Sequence, residues 1–140
     1  MNHITLLDAG SLIAVLHRRD QFHTWAVKEI SRMPAPLFTC EAVLAEACFL
    51  AQRMLGTSQA VYDFVATGAV KVSFNLGEEF ESVRKLAVRY QNVPMSLADA
   101  CLVRMSEIYD NSTVFTTDGD FRIYRKNTNQ IIPTIMPEGI

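Results

Sequence analysis

The chain alternates short, continuously apolar runs with longer stretches whose apolar residues recur at helical spacing. Ile4-Thr5-Leu6-Leu7 reads as a short strand buried on both faces. Leu12 to His17 predicts a short helix. Gln21 to Met33 predicts a second, with Phe22, Trp25, Ala26 and Ile30 at helical spacing and Pro34 and Pro36 closing it. Leu37-Phe38-Thr39 is a second strand. Glu41 to Leu55 is strongly helical and stops at Gly56, and Ser58 caps a helix reaching about Thr67 before Gly68. Val70 to Phe74 alternates as a third strand. From Glu78 to Tyr90, residues Phe80, Val83, Leu86, Ala87 and Tyr90 share one helical face. Ser96 to Tyr109 is another helix, Thr113 to Thr116 a fourth strand, and Phe121 to Tyr124 a helical turn. Ile131-Ile132, ahead of Pro133, predicts an edge strand.

Short strands separated by helices predict an α/β fold, an open parallel sheet covered on both faces. No repeat or low-complexity linker divides the chain, so residues 1–140 are expected to form one domain. Ligands of such sheets gather at the carboxyl ends of the strands.

Composition narrows the class. Hydrophobic residues are 49% and charged residues 20%, which excludes a disordered chain, and the net charge of −2 offers no overall basic field for nucleic acid. Cys40, Cys48 and Cys101 are too few and too far apart for a disulfide framework or zinc knuckle, and fit buried thiols in a reducing compartment. The apolar stretches stop short of the roughly 18–20 residues that span a bilayer. Met1-Asn2-His3 carries no positive charge cluster and Asp8 breaks the first apolar run, so neither a signal peptide nor a membrane anchor is expected. The expected location is cytoplasmic.

Several acids stand where strands or helices deliver them to the sheet rim. Asp8 follows the first strand directly, Asp118 follows Thr113-Val114-Phe115-Thr116-Thr117, and Asp99 lies in the first turn after Ser96. Each also has an ordinary explanation: Asp8 starts a turn with Gly10, Ser96-Leu97-Ala98-Asp99 is a capping box with aspartate for glutamate, and Thr117-Asp118-Gly119-Asp120 is a cap with an acidic first turn. Glu46 is harder to dismiss. It falls on the apolar stripe formed by Val43, Ala47, Leu50 and Met54, where an unpaired carboxylate costs several kcal/mol. Glu41, at the helix start, is explained by the dipole alone. Four acids without a matching base suit a hard divalent cation, Mg²⁺ or Mn²⁺, rather than zinc. His3, His17 and His23 show no ligand spacing, and His17 and His23 read as surface residues.

The motifs Leu7-Asp8-Ala9-Gly10-Ser11-Leu12-Ile13-Ala14-Val15-Leu16, Val43-Leu44-Ala45-Glu46, Pro94-Met95-Ser96-Leu97-Ala98-Asp99-Ala100 and Thr116-Thr117-Asp118-Gly119-Asp120-Phe121 occur in one order. Together the chain resembles the PIN-domain family, metal-dependent nucleases that include the VapC-type toxins. That resemblance implies a three-layer α/β/α sandwich around a short-stranded parallel sheet. It implies that Asp8, Asp99 and Asp118 hold one or two Mg²⁺ or Mn²⁺ ions and that Glu46 completes a catalytic quartet. Asp120 shares or replaces the role of Asp118, with Thr117 as a supporting hydroxyl. Ala9 and Gly10 stand where many relatives carry Asn, Ser or Thr, which leaves Ser11 as the nearest hydroxyl to Asp8.

The implied activity is hydrolysis of single-stranded or structured RNA by metal-activated water, leaving a 5′-phosphate and a 3′-hydroxyl. Arg18, Arg19, Arg122, Arg125 and Lys126 are the candidates for gripping phosphates. The resemblance also implies a homodimer and a small antitoxin protein whose arginine mimics the cation. Trp25 with Phe22 is either an exposed patch for such contacts or, as helical spacing favours, part of the core. A different class of function is a PIN-fold binding module, regulated by an antitoxin and with little intrinsic nuclease activity. A haloacid dehalogenase-like phosphatase fits poorly, because Gly10 occupies the position where its second aspartate belongs.

Overall fold

The computed structural model describes residues 2–140. Its core is a five-stranded, wholly parallel sheet. The strands are β1 (Ile4–Leu7), β2 (Leu37–Thr39), β3 (Val70–Val72), β4 (Ser112–Phe115) and β7 (Thr134–Ile135), in the spatial order β3-β2-β1-β4-β7. Helices α1 (Ala9–Leu16), α2 (His23–Ile30), α3 (Glu41–Leu55), α4 (Gln59–Ala66), α5 (Leu76–Arg89) and α6 (Leu97–Ile108) connect and cover it, giving a three-layer α/β/α sandwich. A two-residue antiparallel ribbon, β5 (Arg125–Lys126) with β6 (Gln130–Ile131), hangs off the sheet. No helix among the described residues is long and apolar enough to cross a membrane.

Strand order sets the site. From β1 the chain steps outward to β2 and β3, then returns across the sheet to β4 on the other side of β1. That reversal leaves a crevice at the carboxyl ends of β1 and β4, where neighbouring connections depart in opposite directions. β1 and β4 pair from Ile4↔Ser112 to Leu7↔Phe115, so the next residues, Asp8 and Thr116, emerge side by side. β1 is buried on both faces, with Thr5, Leu6 and Leu7 all inaccessible, as its unbroken apolar run demands.

Local chemistry accounts for most element boundaries. α3 ends at Gly56, which adopts φ +80° as a left-handed cap. Asn75 caps α5 by accepting from the Glu78 N–H at 3.2 Å, and Ser96 caps α6 by accepting from the Asp99 N–H at 3.0 Å. The buried stripe of α3 is Val43, Ala47 and Ala51. Met54, expected on that stripe, is exposed, and Phe80 likewise lies outside the buried face of α5 formed by Val83, Leu86 and Tyr90. A 3.6-residue period turns the stripe slowly around the helix, and a neighbour covers only part of it. Trp25 packs against the core, its ring centre 5.4 Å from that of Phe115, with Phe22 edge-on to it. His23, expected at the surface, is half-buried and bonds the Ala14 carbonyl at 2.8 Å. All three cysteines are free, two of them buried.

The C-terminal segment differs most from expectation. Ile131 belongs to the outer ribbon, and the sheet's edge strand is Thr134–Ile135, beyond Pro133. The proline does not interrupt this pairing because it contributes its carbonyl, accepting from the Val114 N–H at 2.9 Å. Lys126, expected to grip RNA, is instead 6% exposed, with its ammonium donating to the Ser106 carbonyl at 3.1 Å. The cation sits at the carboxyl end of α6, where the helix dipole favours positive charge.

Lys126 therefore holds the ribbon to α6. Lys126→Ala is expected to lower the unfolding free energy by about 1–3 kcal/mol, by leaving a buried carbonyl without its charged donor. Urea denaturation checks this, and an unchanged midpoint would show the ammonium to be solvated.

Candidate active site

Five carboxylates line one cavity of about 320 Å³ at the β1/β4 crevice: Asp8, Glu46, Asp99, Asp118 and Asp120. Gly10, Leu50, Pro94, Ser96 and Thr117 complete its wall, and no lysine, arginine or histidine lines it. Ligand atoms of Asp99, Asp118 and Asp120 all lie within 4.8 Å of one another. Asp118 and Asp120 both reach the cluster. Glu46 faces the cavity from α3 at the edge of the buried stripe and is half-buried rather than enclosed.

Each acid is fixed by ordinary backbone chemistry. Asp8 caps α1, its Oδ1 accepting from the Ala9 N–H at 2.8 Å, while Oδ2 accepts from the Thr116 hydroxyl at 2.5 Å. The same hydroxyl oxygen accepts from the Asp118 N–H at 2.9 Å, so Thr116 ties the acids of β1 and β4 together. Asp118 caps the 3₁₀ turn Gly119–Arg122 by accepting from the Asp120 N–H at 2.9 Å. Asp99, in the first turn of α6, accepts at Oδ2 from the Tyr124 hydroxyl at 2.8 Å. Ser96 and Asp118 are therefore caps, as the sequence allows, while Asp8 caps α1 rather than opening a turn, and these roles are compatible with a site: a bonded carboxylate keeps other lone pairs free.

Burial and crowding decide the electrostatics. Burial pushes Asp8 up to about 7, assisted by Asp99 and Glu46 and opposed by the Thr116 hydroxyl and the Ala9 N–H. Asp99 is pushed up to about 6, first by burial and then by Asp118 and Glu46, against the bonds from Tyr124 and Ser96. Burial and Asp118 also raise Glu46 and Asp120. Tyr124 is raised by burial and by its bond to Asp99, so it remains a hydroxyl donor. The donor set consists of hard oxygen ligands with no protein cation among the wall residues. It fits a divalent metal bound by Asp99, Asp118 and Asp120, with Asp8 and Glu46 beside it.

Other expected site residues fall elsewhere. Ser11 is buried beneath the cavity, donating to the Asp8 and Phe115 carbonyls at 2.9 and 2.6 Å, so it supports the backbone of Asp8 rather than its carboxylate. Thr117 lines the cavity against Gly10, where an added Cβ would stand 2.5 Å from the Thr117 Oγ1. A larger residue at position 10 would therefore make the Thr117 side chain turn away. Arg18 and Arg19 are exposed beyond the far end of α1, about 12 Å of helix away from Asp8. The Arg125 guanidinium bonds the carbonyls of Arg122, Ile123 and Tyr124, and that of Arg122 bonds the Ile140 carbonyl. With Lys126 buried, none of the five expected basic residues lines the cavity.

Two residues of the site escaped the sequence reading. Thr116 looked like the end of an apolar strand, and only the β1/β4 register shows that its hydroxyl meets Asp8. Tyr124 looked like part of a helical turn. It is fully buried, edge-on to Tyr90 and Phe121 at 5.2 Å each, and those rings aim its hydroxyl at Asp99. A hydroxyl-tipped aromatic six residues after an acid was the available signal.

A family model described as PIN domain matches residues 5–127. Among solved structures, the crystal structure of VapC20 from Mycobacterium tuberculosis, described as a sarcin-ricin loop cleaving toxin, is similar in fold. It has a TM-score of 0.76 and 21% sequence identity, covering 83% of this chain and 91% of that one. No curated protein sequence matches.

A carboxyl whose folded pKa exceeds its unfolded value near 3.8 holds its proton longer in the folded state. The stability it contributes is complete below that unfolded value and is lost as pH rises through about 6 for Asp99 and about 7 for Asp8. In chelator the melting temperature is therefore expected to fall between pH 5 and pH 8. Asp99→Asn is expected to recover about 2–6 °C at pH 8 and almost nothing at pH 3.5, below the unfolded value. Scanning calorimetry checks both values, and equal gains at the two pH values would contradict charge crowding as the cause.

Proposed function

Because this chain belongs to the PIN domain family, we propose that it is a metal-dependent endoribonuclease that hydrolyses single-stranded RNA. One observation carries the reading: five carboxylates share a cavity that no basic side chain enters. Such a cavity repels a phosphodiester and destabilises its own fold unless a cation occupies it. Asp99, Asp118 and Asp120 are placed to hold Mg²⁺ or Mn²⁺, with Asp8 and Glu46 completing the ring. When bound, the ion would draw in the scissile phosphate, lower the pKa of an attacking water and stabilise the leaving oxygen.

The chain's own groups supply the positioning. Thr116 and the Ala9 N–H hold both oxygens of Asp8 in one orientation. Tyr124 fixes Asp99 from the buried side, so its remaining lone pairs face the cavity. Because the two elevated acids bind protons near neutrality, cations and protons compete for the same oxygens. The fold shared with VapC20, a cleaving toxin, supports the toxin of a toxin–antitoxin pair as the biological role. A small antitoxin that delivers an arginine into the acid cavity is the partner this chemistry would accept, and a homodimer the assembly the family implies.

The test is cleavage of a mixed single-stranded RNA pool by wild type and Asp99→Asn in Mg²⁺, Mn²⁺ or EDTA. Cleavage is expected only with metal, with products carrying a 5′-phosphate and a 3′-hydroxyl, and a loss of at least about 100-fold in the variant. Equal activity in EDTA or in Asp99→Asn would overturn the assignment. Failure to bind Mn²⁺ by calorimetry would move the reading to a binding module.

Proton competition gives a second expected outcome. Mn²⁺ affinity should fall at least about tenfold between pH 8 and pH 5.5, as Asp8 and Asp99 take up protons. A flat calorimetric profile would mean that these acids do not bind the ion.

A further inference from the structure

The acid cavity has no cation in its wall, but the helix that carries Glu46 bears one about two turns further on, Arg53. Counting along α3 from Glu46, Leu50 lies four residues on and lines the same cavity. Phe49 and Arg53, three and seven residues on, share that helix face. The rise of an α-helix sets Phe49 about 4–5 Å and Arg53 about 10 Å along the axis from Glu46. Phe49 leaves 59% of its surface exposed, an unusual state for a phenylalanine. The Arg53 Cζ stands 5.6 Å from the centre of the Phe49 ring, and among the described residues no carboxylate pairs with this guanidinium. An arginine that stacks on an aromatic ring keeps its in-plane donors free for a second partner.

We propose that Phe49 and Arg53 form a substrate platform next to the acid cavity: an unpaired base stacks on the Phe49 ring while Arg53 holds a phosphate flanking the scissile one. This inference rests on the nuclease reading and extends it, by naming residues outside the acid cavity that would hold the single strand. Two observations favour a nucleic acid over a protein as the occupant. The platform lies on the helix that sends Glu46 and Leu50 into the proposed site of phosphate chemistry, and an unneutralised cation beside a ring face is the pairing that a strand of bases and phosphates complements. It also supplies the substrate contact that Arg122, Arg125 and Lys126, engaged with backbone carbonyls, do not.

Wild type, Phe49→Ala, Phe49→Trp, Arg53→Ala and Arg53→Lys would be compared with a labelled single-stranded RNA oligonucleotide in Mn²⁺. Phe49→Ala is expected to raise the half-saturating RNA concentration about tenfold, with the maximal rate within about twofold of wild type. Phe49→Trp should restore binding, and its emission should be quenched as RNA is added, with wild type supplying the Trp25 background. Arg53→Ala should flatten the log–log salt dependence of binding by about one unit, and Arg53→Lys should keep it. Unchanged half-saturation in Phe49→Ala, or Phe49→Trp emission indifferent to RNA, would overturn the platform while leaving the nuclease reading intact. Loss of a dimer in Phe49→Ala by light scattering, with RNA binding unchanged, would also overturn it and assign this face to a second copy. If wild type cleaves no RNA, the fluorescence titration separates the two ideas. Quenching then keeps the platform and rejects the nuclease, and its absence rejects both.

Discussion

The crowding of carboxylates at the β1/β4 crevice is the constraint around which the rest of the molecule is arranged. Five acids drawn from four parts of the chain share one small volume, partly withdrawn from water, with no basic residue in the wall. Desolvation and mutual repulsion oppose ionisation there, and they push Asp8 and Asp99 towards neutrality. No local sequence preference would assemble such a group. It persists because the strands and helices that deliver the acids are anchored elsewhere, by an apolar core that runs through β1, β4, α1 and α6.

The anchoring is economical in residues. Asp8 and Asp118 each begin a helical turn, and Ser96 begins the helix that presents Asp99, so the bonds that start these elements also aim the acids. Thr116 sits between two of the acids, donating a hydrogen bond to Asp8 and accepting one from the Asp118 N–H. Tyr124 performs the corresponding task for Asp99 from within the core. At the other end of α6, the Lys126 ammonium neutralises the helix terminus. The helix bearing Asp99 is thus held at both ends, by Ser96 in the cavity wall and by Lys126 outside it.

A site built this way exchanges stability for affinity. Carboxylates that destabilise the metal-free fold are those best prepared to coordinate a cation, because the fold has already met the cost of bringing them together. The same logic explains the distribution of positive charge. A lysine or arginine inside the cavity would neutralise the acids and compete with any added cation; Arg122, Arg125 and Lys126 bond backbone carbonyls instead.

The amino-acid sequence by itself determined the order of strands and helices, the parallel sheet and the acids Asp8, Glu46, Asp99 and Asp118. These follow from hydrophobic periodicity, caps and the placement of polar residues at element ends, all of which are local. The tertiary structure alone decided what depends on register and on faces meeting. That Thr116 rather than Ser11 touches the Asp8 carboxylate follows from Leu7 pairing with Phe115, a match between strands more than a hundred residues apart. That Gly10 faces the Thr117 side chain is likewise visible only in the folded chain. That Lys126 is buried while Phe49 is exposed follows from which helix surfaces find neighbours. Periodicity reports how a residue alternates along its own element, and the partner across the interface decides whether that residue ends as core, ligand or surface.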